Sequence, residues 1–258
     1  MLLAGGVAGV GAGLVERTDS PLTTPLKVGV TYLPPPDTPE SRIYQEEGFE
    51  LELAAELSRV LGVAVEPVRV APEEQSAALA QGRVDALMIR TAAEDALPEG
   101  AHILPSGFSS GLSAVMRSDT SIRRWEDLKG RTVCVSQAHV QAQELARKLG
   151  ASVRTYRAPA PALIGARTGE CDAALHDNAS ITPLFEKREW QRFNATLPET
   201  TPVPLAVVVP QDKPALARQL RRALGQTELA ATWPQRQQRW AGTVAFEVYR
   251  DQVAGDCH

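Results

Sequence analysis

The residues in this chain that could do chemistry on a small molecule are a few histidines, one arginine and one aspartate. His102, His139 and His176 are spread through the sequence, and Asp177 adjoins the last of them. Neutral imidazoles with a carboxylate can ligate Zn2+ or another divalent ion, or serve as a general acid and base. No two of these histidines have local ligand spacing, so single hydrogen-bonding loop histidines are expected, with no metal. Arg90 ends an apolar run, and its guanidinium can fork onto a carboxylate or pair with Glu94 or Asp95 just beyond it. Asp177 can contact a ligand or cap a helix that begins near Asn178. No His-Glu-x-x-His or phosphate loop is present. Binding without bond chemistry is therefore expected, with no enzymatic activity and no cofactor.

Two similar α/β units must position these groups. Gln81-Gly82-Arg83-Val84-Asp85-Ala86-Leu87 recurs as Thr168-Gly169-Glu170-Cys171-Asp172-Ala173-Ala174-Leu175, and each copy follows an apolar run and a helical pattern. In the first half, Leu26–Val30 is a strand, and a helix opens at Gly48 with Phe49, Leu53, Leu57, Val60 and Leu61 on one face, closed by Gly62. Val63 to Val70 is a strand, Pro72 to Gln81 a helix, and Val84 to Ile89 a strand. That β-α-β-α-β order calls for a parallel sheet with right-handed crossovers. Leu112 to Met116 reads as a strand crossing between lobes. The second half repeats the pattern: strands at 132–135, 153–156 and 172–175, helices at 141–149 and 161–167. Val203 to Val209 can return the chain to the first lobe, and two helices, 215–224 and 230–240, close it. Function is expected in the cleft between the lobes.

Composition sets the outer bounds. The 258 residues, 43% apolar and 22% charged, can bury the cores of two ordinary lobes. A net charge of −4 with dispersed arginines excludes a nucleic-acid footprint. Residues 1–15 are apolar and uncharged, too short and glycine-rich for a membrane span, and read as part of an export signal followed by a linker. Cys134, Cys171 and Cys257 lack metal spacing. Buried free thiols are expected at Cys134 and Cys171, because neighbouring parallel strands rarely offer disulfide geometry; a bridge between them is the alternative.

In order and spacing, several phrases resemble the extracellular solute-binding proteins of family 3, the polar amino-acid receptors of ABC importers. They are 48–54, 78–86, 125–133, Gly169 to Asp177, Leu205 to Pro210 and Trp240-Ala241-Gly242. The resemblance implies two α/β lobes with mixed, mostly parallel sheets, a two-segment hinge, and closure on a small polar ligand handed to an ABC permease. It implies a periplasmic or secreted monomer. The lobes would be 26–113 plus 206–246 and 117–204, with 1–25 a signal-like segment and linker and 247–258 a tail.

The resemblance also implies site residues. The family holds an α-ammonium with an aspartate, matched by Asp177, and clamps an α-carboxylate with an arginine and a Gly-Thr-Thr-like loop. From Thr91 to Met116 there is no arginine, so Arg90 is the nearest candidate, and the loop reads Gln137-Ala138-His139-Val140 without threonines. Tyr32 and Phe108 stand where the family places cleft walls. The expected ligand contacts are thus Tyr32, Arg90, Phe108, Gln137, His139 and Asp177. Two other roles fit the same scaffold: a sensory or accessory binding protein serving an oxidoreductase or receptor, and a dehydratase-like enzyme using Glu94, Asp177 or His139.

Overall fold

The computed structural model describes residues 22–35, 42–90, 97–226 and 229–252. Two sheets divide the chain into two lobes. The first is five-stranded: β1 (Leu26–Val30), β2 (Val65–Arg69), β3 (Ala86–Arg90), β4 (His102–Ser110) and β9 (Val203–Val209), in the order β2-β1-β3-β9-β4. The second holds β5 (Leu112–Val115), β6 (Thr132–Ser136), β7 (Ser152–Tyr156) and β8 (Ala173–Asp177), in the order β5-β8-β6-β7. In the first sheet β1, β2 and β3 are paired in parallel and β9 pairs antiparallel with both β3 and β4; in the second, β6, β7 and β8 are paired in parallel and β5 pairs antiparallel with β8.

Alternation along the strands buries both faces of each sheet. Val28, Val30, Met88, Val207 and Val209 face one core and Leu87, Ile89 and Val208 the other. Helix α1 (Glu50–Leu61) buries Leu53, Ala54 and Leu57 on the first core and ends at Gly62, whose φ of 71° is the left-handed conformation of a C′ glycine. The remaining helices are α2 (Gln75–Ala80), α3 (Val140–Lys148), α4 (Pro159–Thr168), α5 (Asn178–Phe185), α6 (Pro214–Gln226) and α7 (Leu229–Asp251).

The hinge has two segments. Ser110 ends β4 and Leu112 starts β5, so the chain changes lobe at Gly111, and it returns before β9. The segments are bonded together: Leu112 N–H donates to Thr200 Oγ1 at 2.7 Å, Thr200 N–H to Leu112 O at 3.0 Å, and Gly111 N–H to a Glu199 carboxylate oxygen at 2.7 Å. A side chain at Gly111 would collide with the Thr200 backbone.

One strand escapes the sequence reading and two expectations change. Residues 102–110, to which no element is assigned, form a nine-residue strand that Pro105, Gly107 and three serines mask; the pairing with β9 survives through a register shift between Pro105 and Ser109. The last helix runs to Asp251, past the boundary at 246. Its Trp233 packs in the first lobe's core, while Trp240, Val244 and Val248 pack in the second's. Cys134 and Cys171 form a disulfide with a Cα–Cα distance of 5.8 Å, not free thiols. Cys171 lies in the turn before β8 rather than in the parallel ladder, so the geometric objection does not apply to it. Gly165 on α4 makes room for the bridge, since a Cβ there would lie 2.6 Å from Cys134 Sγ. Residues 1–21, Glu94, Asp95 and Cys257 fall outside the described residues.

Candidate functional site

The parallel strands of both sheets deliver their C-terminal ends to one cleft, the position where open α/β sheets bind ligands. Thr31 follows β1, Arg90 ends β3, Ser136 and His139 follow from β6, and Asp177 ends β8. The loop into α1 adds Glu47, Gly48 and Glu50, and α3 adds Gln141 and Glu144. All of these except Ser136, which donates to Glu47, line a cavity of about 250 Å³. A second cavity of about 130 Å³ shares Thr31, Glu47, Gly48 and Glu50 with it and reaches Tyr32 and Glu52.

Arg90 and Asp177 form an ion pair across the cleft, with side chains only 8% and 1% exposed. The other guanidinium arm donates to Ser110 O at 2.6 Å, and Gln141 Nε2 donates to Arg90 O at 2.7 Å, again from lobe to lobe. Burial alone would push the Asp177 carboxyl up; Arg90 and His139 beside it outweigh burial and hold it well below the ordinary carboxylate range. Asp177 Oδ2 remains buried without a partner.

Glu47 makes a second link. Its carboxylate accepts from the Ser136 hydroxyl, and its Oε1 lies 2.8 Å from His176 Nδ1, so a first-lobe loop is anchored in the second sheet. Burial opposes its ionisation, but His176 and His139 lower its pKa. Glu50 is different. Burial raises its pKa, with Arg90 pulling the other way and only its own backbone N–H and distant charges to help. His139 Nδ1 accepts from Ala142 N–H at 3.4 Å and so caps α3, while its Nε2 lies 3.4 Å from Asp177 Oδ1. Burial lowers the imidazole pKa, yet Glu47 and Asp177 overcome it and raise it above the ordinary value. A second proton would turn Nδ1 into a donor and remove the α3 cap.

Of the six residues read from the sequence, Arg90, His139 and Asp177 line the main cavity and Tyr32 the adjoining one. Phe108 does not. It is 3% exposed in the first core, with ring centroids 4.9 Å from Phe49 and 5.2 Å from Trp233, and the Arg90 guanidinium lies 5.4 Å from its ring centre. It supports Arg90 from behind. Gln137 is exposed, and its backbone N–H donates to Tyr156 O, so it belongs to the β6–β7 edge. Asp177 does not cap α5 through its side chain; Ser110 Oγ accepts from Ala179 N–H at 3.0 Å instead. Glu47, Glu50, Glu144, Ser136 and Gln141 escaped sequence reading. The signal for the first two was the acidic run around Gly48, at the mouth of the first β-α connection. His102 lines neither cavity, and among the described residues no group of three His, Cys, Asp or Glu side chains has the arrangement to hold a metal ion.

The family model of the bacterial extracellular solute-binding proteins, family 3, matches residues 26–243. A Haemophilus influenzae protein named "Probable amino-acid ABC transporter-binding protein" is 24% identical over 236 residues, covering 91% of this chain and 90% of that one. Among solved structures, a mutant of ArgBP from T. maritima superposes with a TM-score of 0.57 at 20% identity, covering 84% of this chain and 95% of that one. An ancestral amino-acid-binding protein described as a precursor of cyclohexadienyl dehydratase does so with a TM-score of 0.54 at 22% identity, covering 84% and 94%. These two likenesses establish the two-lobed fold.

Proposed function

Because the chain belongs to the bacterial extracellular solute-binding proteins, family 3, we propose that it captures a small polar ligand between its lobes and presents it to an ABC-type permease. One observation carries this reading: the cavity is walled by charged side chains from both lobes, with ion pairs and hydrogen bonds passing directly between them. A ligand that adds contacts to both walls stabilises the closed arrangement over the open one, and hinge closure follows from that differential affinity. The Cys134–Cys171 disulfide supports a periplasmic or secreted location, where such bonds persist. Thermal-shift and calorimetric screening against amino acids, carboxylates and amines tests the reading. A panel without one stabilising ligand would sink it.

A second reading has its own support. Glu50, with a raised pKa, and Glu47, with a lowered one, line the same cavity, and a proton donor beside an ionised carboxylate is the arrangement acid–base enzymes use. A dehydratase-like activity would appear as aromatic product formed from a cyclohexadienyl substrate. No product above background, from protein that binds a ligand, would eliminate it.

A further inference from the structure

Resting on the reading of the cleft as the capture site, we propose that its ligand is an organic cation lacking a carboxylate: an amine, diamine or guanidine, not a free amino acid. The cation that could receive a carboxylate is already matched from within. One arm of Arg90 holds Asp177 and the other holds Ser110 O, so its charge and both arms are committed to groups of the protein itself. At the first turn of α3, Val140 N–H donates to Ala138 O and Ala142 N–H to His139 Nδ1. At the first turn of α1, the Glu50 carboxylate lies over Gly48, where any larger side chain would displace it.

The acceptors, by contrast, are in excess. Asp177 lines the cavity, and its Oδ2 is buried without a partner. Glu50 and Glu144 add carboxyls to the wall, and among the described residues neither is ion-paired. Four carboxyls therefore face one guanidinium and one imidazole, and the guanidinium is itself neutralised by Asp177. The adjoining cavity extends the acidic surface past Glu47 and Glu50 to Tyr32, adding room beside the main cavity for a second positive end. A carboxylate brought into this space would meet an excess of acceptors. An ammonium or guanidinium would meet two carboxyls without ion-pair partners, beside Asp177.

Matched pairs of ligands that differ only by the carboxylate test this directly. Isothermal titration of the full chain with agmatine against arginine, and with cadaverine against lysine, should show the decarboxylated member binding about tenfold tighter or more, a gap of at least ~1.4 kcal/mol. Glu144→Gln, on the exposed side of α3, and Glu50→Gln should each weaken agmatine severalfold. Arginine or lysine binding as tightly as its amine overturns the assignment while leaving solute capture intact, as does a panel in which only neutral or acidic amino acids bind. Agmatine affinity unchanged in both variants also overturns it. Binding of nothing in the panel removes capture itself together with its ligand class.

Discussion

Arg90 and Asp177 occupy equivalent positions in the two halves of the chain and pair with each other across the cleft. Each lies five residues after the aspartate of its Gly-x-x-Asp-Ala phrase, Asp85 in one half and Asp172 in the other, and each ends the strand that the phrase begins. The repeat thus places two strand ends face to face, one cationic and one anionic. Breaking this pair from one side leaves the other charge buried and alone. Arg90→Ala or Asp177→Ala should each cost about 3–5 kcal/mol in denaturant unfolding, while Arg90→Met with Asp177→Leu should come much nearer the parent. Equal losses for single and double variants would show that the pair is not the source. Asp177→Ala should also abolish binding of any cationic ligand, and retained affinity in the folded variant would remove Asp177 from the site.

The phrase's own aspartates have a structural job. Asp85 Oδ2 accepts from Lys27 N–H at 3.0 Å and Asp172 Oδ2 from Thr132 N–H at 2.9 Å, each at the start of the neighbouring parallel strand. Their other oxygens meet Lys213 and Arg131. Asp85→Ala and Asp172→Ala should each destabilise by about 1–2 kcal/mol by leaving a strand-end amide unpaired, without changing ligand affinity. Paired urea titrations and calorimetry check both halves of that statement.

Acid should act through the cleft. Glu47 and Asp177 have lowered pKa values, so their stabilising contribution is complete above the unfolded-state value of about 4 and is lost as pH falls through their lower folded values. Glu50 is raised, so its contribution has the opposite sign: present below about 4.3 and lost as pH rises through its folded value. Unfolding free energy measured from pH 2 to 7 should climb at the acid end. Glu50→Gln should selectively remove any decline above the Glu50 folded value. An unchanged decline in that variant assigns it to another group.

The bridge between Cys134 and Cys171 closes a 37-residue separation around α3, β7 and α4. Its removal by Cys134→Ala with Cys171→Ala should cost about 3–4 kcal/mol, read from unfolding curves of oxidised parent and variant. Reduced parent should then behave like the double variant. Gly165→Ala should perturb the same region, since its Cβ would press on Cys134 Sγ and Tyr156.

Local patterning determined a great deal. Alternating apolar strands, α1 with its Gly62 terminus, the doubled Gly-x-x-Asp-Ala phrase and the order of elements define two parallel α/β units, because side-chain periodicity and turn chemistry act over a few residues. Arg90, His139 and Asp177 were legible for the same reason, standing at strand ends that such units turn toward one another. Strand β4 was not, because its stability comes from pairing with β9, about a hundred residues away, rather than from its own serines and Pro105. The destinations of the side chains were not legible either. That Phe108 turns into the core against Phe49, that Glu47 reaches His176 across 129 positions, and that Arg90 closes on Asp177 are contacts between distant segments. Only tertiary packing decides them, since burial makes each charge choose whichever partner lies within hydrogen-bond reach.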